Sequence, residues 1–498
     1  MTLQQLYAVM LVGGVVLLAG VIATRIGSRV GLPSLLLFLA LGIVLGEDVI
    51  GIDFDDAQLA QNIGTAALAV ILVEGGLSTR WSDVRHLLAP AGLLATVGVA
   101  VSVTITATGA HFLLGVNWQL ALLLGAIVSS TDAAAVFSVL RVLPLPRRVA
   151  GLLEAESGFN DAPTVILVLL FSSTPLNVNP ADLAGSLLYQ LAVGALIGLV
   201  LGRVGAGILK HVALPAAGLY PLAIFGLGIV AFAAAGAAQA SGFISAYLAG
   251  IVLANSGLSH RSATRSFAEG LGWLAQIILF VMLGLLVTPS ELPAELLPAL
   301  LIGLVLLLLA RPLSVLLSVS WFKRPWRDQL FLSWSGLRGA VPIVLATFPV
   351  VQDVPGSDRL IDIVFVLVVI FTLVQGPSLR PVARVLGLIH VDTAREVQIE
   401  SAPLDTIDAE LLTITVPEAS RLHGVSIMEL RLPLTSVISL IIRNRQVLVP
   451  RPETRLKTGD ELLIVTTAAQ RDATERRLRA VARRGRLARW FGEHGYPD

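Results

Sequence analysis

The residues best placed to do chemistry lie between positions 117 and 172, in two apolar stretches hinged by the short basic segment Arg141 to Arg148. The first carries Ser129, Ser130, Thr131 and Asp132 within an otherwise greasy run. The second carries Glu156, Ser157, Gly158, Phe159, Asn160, Asp161, Ala162 and Pro163. At about 1.5 Å per helical residue, Asp132 lies roughly 14 Å from Arg141 and Asp161 roughly 15 Å from Gly151, so both carboxylates fall near the middle of a ~30 Å hydrocarbon layer. Ionisable groups at that depth are expensive and mark a substrate or ion path. Ser157 and Asp161 are four apart and Ser157 and Asn160 three apart, so hydroxyl, amide and carboxylate project to one side of a helix. Such oxygens suit a hard, non-redox cation. Burial disfavours the charged form of a carboxylate, which lets a proton compete with a metal ion for the same oxygens. Competition at one site exposed alternately to either face is antiport.

The elements that must position these residues are membrane helices. Hydrophobic types make up 55% of the 498 residues, charged types only 14%, and the mean hydropathy is +0.83, far from the balance of a soluble domain. The pattern predicts thirteen spans, at about 6–24, 33–46, 57–77, 87–110, 117–139, 152–172, 182–205, 217–237, 242–256, 267–288, 294–319, 328–350 and 360–383. No short apolar segment with a small-residue cleavage site precedes the first run, which is expected to be a retained span. The absence of cysteine excludes disulfides and thiolate metal sites.

Orientation follows from the basic residues. Of the nineteen Lys and Arg in residues 1–389, sixteen fall in odd-numbered connections or just after the last span, including Arg25, Arg85, Arg147, Lys210, Arg265, Lys323 and Arg384. Only Arg359 falls in an even one, where Glu47, Asp48, Asp53, Asp55, Asp56, Glu291 and Glu295 sit. The odd connections are expected to be cytoplasmic, with the amino terminus outside and the carboxyl terminus inside a cell inner (plasma) membrane.

Arg311 and Arg338 lie within spans. Counted from Arg327, Arg338 sits about 16 Å deep, level with the two aspartates. It belongs to Ser333-Trp334-Ser335-Gly336-Leu337-Arg338-Gly339-Ala340-Val341-Pro342, where two glycines and a proline weaken the helix, and broken helices at midplane are tolerated only inside protein or along a cavity. The fifth and twelfth spans thus share a pattern and are seven apart, which makes them antiparallel. That arrangement is expected of two inverted six-helix repeats with crossed broken helices. Arg338 reads as a counter-charge, with Glu156 as its expected partner; Glu74 reads as snorkelling or paired; and Arg311, followed by Pro312, reads as structural. A buried ion pair is the bland account of a lone acid, and the shared depth of Asp132, Asp161 and Arg338 speaks against it.

The fold class is therefore an all-α polytopic membrane protein with thirteen transmembrane helices and a small α+β cytoplasmic C-terminal domain. The membrane part covers 1–389, a polar linker 390–400, the soluble domain 401–470 and a basic helical tail 471–498. Strands are expected at Leu411–Val416, Val437–Arg443, Gln446–Val449 and Glu461–Thr466. The tail reads mainly as a solvated helix, with attraction to the anionic inner leaflet as the second reading.

Four segments, Val73-Glu74-Gly75-Gly76-Leu77, Ser130-Thr131-Asp132, Glu156 to Pro163 and Gly336 to Pro342, resemble the monovalent cation:proton antiporters of the sodium/proton exchanger type, NhaP-like branch. The resemblance spans the whole membrane part. It implies a homodimer with a dimerisation domain and a moving core, working as an elevator. It also implies that Asp161 carries cation and proton, that Asp132, the Thr131 backbone and Ser157 are further ligands, and that Asn160 marks the electroneutral branch. The segment with Leu430–Pro433, Ile441–Asn444, Pro450 and Thr458–Leu462 resembles the RCK-C or TrkA-C regulatory domain of potassium transport proteins, a pairing that points to K+/H+ exchange with Na+/H+ close behind. No Gly-rich loop follows a predicted strand there, so a nucleotide cofactor is not expected. The expected partners are the bilayer, a second copy and a small-molecule or ion regulator, without nucleic acid. Two rivals are weaker. An intramembrane aspartyl protease lacks its Gly-x-Gly-Asp at both aspartates, and a potassium channel lacks a Thr-Val-Gly-Tyr-Gly filter.

Overall fold

Backbone in hydrocarbon must satisfy its own polar groups, and the apolar runs do so as helices. The computed structural model describes residues 2–30, 33–52, 54–79, 81–132, 143, 145–173, 180–212, 214–258, 261–388, 399–404, 409–417, 420–444, 446–467 and 470–485. In chain order the main helices of the first unit are α1 (Leu3–Val30), α2 (Ser34–Leu45), α3 (Ala57–Ser78), α4 (Leu88–Leu114), α5 (Trp118–Ser129), α6 (Arg147–Phe171), α7 (Pro180–His211), α8 (Leu219–Ala237), α9 (Gly242–Ala254), α10 (Arg261–Leu285), α11 (Leu292–Phe322), α12 (Trp326–Trp334), α13 (Ala340–Val351) and α14 (Asp358–Val385). Among the described residues eight are long and apolar enough to cross a membrane: α1, α3, α4, α7, α8, α10, α11 and α14. The apolar helices α2, α5, α9 and α13 are shorter. The second half of the fifth expected span and the hinge at Arg141 lie outside the described residues.

Small residues let these helices approach backbone to backbone. A Cβ added to Gly42 of α2 would fall 2.1 Å from the Val281 carbonyl of α10, and one on Gly284 would fall 2.3 Å from the Leu39 carbonyl. Two helices contain a feature that periodicity does not reveal: α4 has a wide π turn at Leu94–Gly98 and α11 another at Leu306–Ala310. Such turns misalign backbone carbonyls with their helical donors. Ser314 Oγ of α11 donates to Gly98 O of α4 at 2.8 Å, and Ser318 Oγ to Leu93 O at 3.3 Å, so hydroxyls of one π-turn helix reach carbonyls at the π turn of the other.

The second unit holds Ile389–Asp498 together with Ser259–Thr264. Its sheet is antiparallel in the order β1-β2-β5-β3-β4, with β1 at Ile399–Leu404, β2 at Ala409–Thr415, β3 at Val437–Arg443, β4 at Gln446–Leu448 and β5 at Glu461–Thr467. Alternate residues point into one core, with Leu412 opposite Ile464 and Ile414 opposite Leu462. Two expectations change here. Strand β1 begins inside the segment read as linker, because Ile399-Glu400-Ser401 has no strong alternation and pairs only once β2 offers an edge. The helix α15 (Ile427–Leu430) is followed by α16 (Arg471–Arg484), and α16 is no solvated tail, since Leu478, Ala480, Val481 and Ala482 are buried in the same core. Its arginines mask that apolar stripe in composition; residues 486–498 lie outside the described residues.

A buried clasp closes the β-turn end of this domain. Arg443 Nε and Nη2 donate to the two oxygens of Asp460, each at 2.7 Å, and the Lys457 N–H donates to Asp460 Oδ2 at 2.7 Å. Burial pushes the Asp460 carboxyl up, but Arg443 and Lys457 outweigh it and hold it below the usual carboxylate range. Its stabilisation is therefore complete above about pH 4, the unfolded value, and is lost as pH falls through the lower folded value. Asp460→Ala, which leaves a partly exposed Arg443 guanidinium with only the Arg455 carbonyl as partner among the described residues, is expected to cost about 1–3 kcal/mol and to remove this acid-side loss. Thermal melts of the full chain between pH 3 and 7, read by limited proteolysis after residue 398, check it; a melt indistinguishable from the parent contradicts the clasp.

Candidate functional site

Two chain breaks meet at the site. Helix α5 stops at Ser129, and Ser130 turns the chain to extended backbone; α12 stops at Trp334, and α13 begins only at Ala340. The two extended segments cross and share a hydrogen bond, Asp132 N–H to Leu337 O at 3.0 Å. Each supplies the charge that the other break requires. The Asp132 carboxylate accepts the Ala340 N–H at 2.7 Å, so a negative charge sits on the positive end of α13. Arg338 Nε donates to Val128 O at 2.7 Å, so a positive charge sits on the negative end of α5. Arg338 Nη1 also donates to Gly336 O at 2.8 Å, and Thr372 Oγ1 of α14 donates to Arg338 O at 2.8 Å. Gly339 is required by this crossing, since a Cβ there would fall 1.8 Å from Asp132 Oδ2.

The same segment of α5 carries the hydroxyls that meet α6. Ser130 Oγ donates to Asp161 Oδ1 at 2.7 Å. Asn160 Nδ2 donates to Thr131 Oγ1, and the Thr131 and Ser157 hydroxyls share a hydrogen bond at 3.1 Å in which either can donate. Asn160 Oδ1 is buried and has no hydrogen-bond partner among the described residues. Pro163 removes one helical donor from α6, and Thr164 Oγ1 donates to the carbonyls of Asn160 and Asp161, both at 2.9 Å. Ser130, Thr131, Asp132, Ser157, Asn160 and Asp161 are each at most 3% exposed. The arrangement offers a compact set of oxygens, among them Asp161 Oδ1 with a rotatable hydroxyl as its donor, the Thr131 and Ser157 hydroxyls, and one amide oxygen lacking a donor among the described residues. That is the chemistry of a cation that replaces hydrogen bonds without breaking a rigid frame.

The sodium/hydrogen exchanger, transmembrane, family matches residues 14–385, and the TrkA-C domain family matches residues 411–479. The chain belongs to the sodium/hydrogen exchanger family. It is 39% identical over 473 residues to a K(+)/H(+) antiporter NhaP of Alkalimonas amylolytica, covering 92% of this chain and 81% of the relative. It is 36% identical over 497 residues to K(+)/H(+) antiporter NhaP2 of Shewanella oneidensis, covering 97% and 85%. A solved structure of the sodium proton antiporter MjNhaP1 of Methanocaldococcus jannaschii superposes with a TM-score of 0.65 over 76% of this chain and 99% of that one, at 23% identity, a likeness of fold. As an exchanger-family member the protein is a transporter and no enzyme.

Within this exchanger the remaining charges sort differently from expectation. Glu156 does not pair with Arg338. Its carboxylate is gripped by Arg311 of α11, Nη1 to Oε1 at 2.5 Å and Nη2 to Oε2 at 3.1 Å, and Arg311 Nη2 also reaches Leu332 O. The reason is that Arg338 is already committed to the end of α5. Arg311, read as structural, is a bidentate partner of the helix that bears Asp161. Glu74 does not snorkel: it is 4% exposed, accepts from Ser78 Oγ at 3.1 Å, and lies over Gly272 of α10. Ser130 was missed as a site residue because its hydroxyl looked interchangeable with that of Ser129, which bonds back to Gly125 O.

Removing one member of the Glu156–Arg311 pair leaves the other buried and uncompensated. Arg311→Met is expected to destabilise the protein by about 3–5 kcal/mol, and the double variant Arg311→Met, Glu156→Leu to recover most of that loss. A double-mutant cycle of melting in detergent reads the coupling, and additive losses would show that the two side chains do not depend on each other.

Proposed function

We propose that this protein is an electroneutral monovalent cation/proton antiporter, with K+ favoured over Na+, in which one proton and one cation compete for Asp161. The observation that carries the reading is the contact set of Asp161 itself: a buried carboxylate bonded to the rotatable Ser130 hydroxyl beside the orphan oxygen of Asn160. Ser157, Asn160, the Thr131 backbone and Asp132 complete the oxygen cage in this reading, and Asp132 does so while capping α13. The preference for K+ is supported by the printed names of the relatives that match over most of the chain and by the TrkA-C domain. The Na+/H+ name of the structural neighbour speaks for the same exchange with the other ion.

The thirteen-span, inverted-repeat architecture belongs to this proposal. It is supported by two breaks seven segments apart, at Ser130 and Ser335, and by two π turns in α4 and α11, also seven segments apart. In this reading the chain sits in the inner membrane with the amino terminus outside and the carboxyl terminus in the cytoplasm, works as a homodimer in service of pH homeostasis, requires no cofactor, and is regulated by a small molecule or ion at the TrkA-C domain. Asn160 beside Asp161 brings one titrating group of α6 to the path, so the carrier crosses with equal charge in both directions.

Dequenching of a pH-sensitive dye in everted vesicles tests the activity. KCl is expected to dissipate an imposed proton gradient at lower concentration than NaCl, and Asp161→Asn to abolish the response while the protein still inserts. In voltage-clamped proteoliposomes the rate is expected to stay flat, because a moved net charge would couple about 2.3 kcal/mol per 100 mV to transport. A steep voltage dependence refutes one-for-one exchange, and retained exchange in the Asp161→Asn protein refutes the carrier.

A further inference from the structure

Helix α9 is locked to its neighbours by backbone contact. A Cβ on Gly76 of α3 would fall 2.4 Å from Tyr247 O and 3.0 Å from Gly250 Cα, and one on Gly198 of α7 would fall 2.4 Å from Ser245 O. Ser245 Oγ donates to Ala231 O of α8 at 2.8 Å. Helices α3, α7, α8 and α9 therefore form one tightly joined block.

From this block Tyr247 reaches α6. Its ring lies on Gly158, where a Cβ would fall 2.5 Å from the ring carbon Cζ and under 3 Å from Cε1 and Cε2. Phe159 meets the ring edge to face, with centroids 5.6 Å apart and planes at 90°. The phenol oxygen is 3.4 Å from Thr79 Oγ1, whose own proton goes to Gly75 O at 2.7 Å, so the phenol donates. Tyr247 is fully buried. Gly158 neighbours Ser157 and precedes Asp161 by three residues, on the side of the Arg147 end of α6. Glycine inside a helix costs about 1 kcal/mol relative to alanine, and here it is what lets an aromatic ring rest on the helix backbone.

We propose that Tyr247 is a positioning residue of the exchange cycle: its ring seals Asp161 from the cytoplasmic side in this conformation, and Gly158 is the smooth surface over which it slides when α6 moves. This rests on the antiport reading and its orientation. The ring is the sealing element, because it reaches from the α9 block onto the α6 backbone at Gly158, next to Ser157; the hydroxyl, tethered to the end of α3, holds the ring's angle. Removing the ring uncovers the α6 backbone at Gly158, one turn from Asp161, and is expected to admit water along it.

The sequence contains no cysteine, so one introduced thiol is a unique reporter of water access. Ala162, fully buried beside Asp161, is placed beyond the seal. In everted vesicles of the full chain, Tyr247→Ala is expected to speed modification of Ala162→Cys by a membrane-impermeant thiosulfonate about tenfold, and Tyr247→Phe to leave it within about twofold. Right-side-out vesicles should show no gain. Unchanged labelling with alanine at 247, equal acceleration by phenylalanine, or acceleration only from the outer face overturns the proposal. Gly158→Ala keeps the ring and obstructs its travel, so turnover should fall about tenfold with KM nearly unchanged, and parental turnover in that variant also overturns it. Labelling reads water access rather than transport, so a parent chain that exchanges no cation would sink the antiport reading and leave the seal to be judged on labelling alone.

Discussion

Everything at this site depends on one constraint: a helix that stops inside hydrocarbon leaves carbonyls at one end and N–H groups at the other, with no water to take them. The protein meets it by crossing two broken helices so that each break's extended segment supplies the ion the opposing helix end requires. Asp132 comes from the break after α5 and serves α13; Arg338 comes from the break before α13 and serves α5. The glycines at 336 and 339 follow from the same geometry, because the arginine of α11 and the aspartate of α5 pass where their side chains would be.

This exchange of charges divides labour between the two aspartates. Asp132 is bonded to a helix end, whereas Asp161 is bonded to a serine hydroxyl that can rotate away. The proposed exchange at this site needs partners that give way without unfolding a helix, and the hydroxyls of Ser130, Thr131 and Ser157 are of that kind. The shared segment Ser130-Thr131-Asp132 joins both functions in three residues, one facing Asp161, one facing Ser157 and Asn160, and one facing Ala340.

The depth of Asp132, Asp161 and Arg338 was readable from residue counts, because membrane thickness and helical rise are fixed lengths, and that was enough to bring the broken helices together. Pairing was less readable. Arg311 and Arg338 both lie within spans and are both candidates for Glu156, and only the rotation of each helix about its axis decides between them. The π turns escaped for a related reason: Leu94–Gly98 and Leu306–Ala310 are unbroken apolar runs whose one distinguishing feature is a hydrogen-bond register. In the soluble domain the short strand pairs announced themselves by alternation and turn residues, while β1 and the buried face of α16 depended on a sheet that exists only after folding. Tyr247 read as one aromatic in a greasy helix, since nothing in the sequence places it over Gly158.

The kinds of contact that α6 makes on its two sides differ, and the difference has mechanical meaning. Toward α5, α11 and α12 it is held by directional bonds: Ser130 to Asp161, Thr131 to Ser157, Arg311 to Glu156, and Arg148 to Asp328 at 2.7 Å. Toward α9 its described contacts include a ring lying on a glycine and an edge-to-face pair. Hydrogen bonds need donor and acceptor about 3 Å apart and in line, and breaking one in the buried Glu156–Arg311 pair leaves charged groups unsatisfied, so helices joined by such bonds resist sliding past one another. Dispersion between a flat ring and a bare backbone changes little as one slides along the other, because atoms lost at one edge are replaced at the other. In the proposed cycle, the boundary along which α6 moves is the face with the aromatic ring and the glycine, and the charged face defines what moves with it.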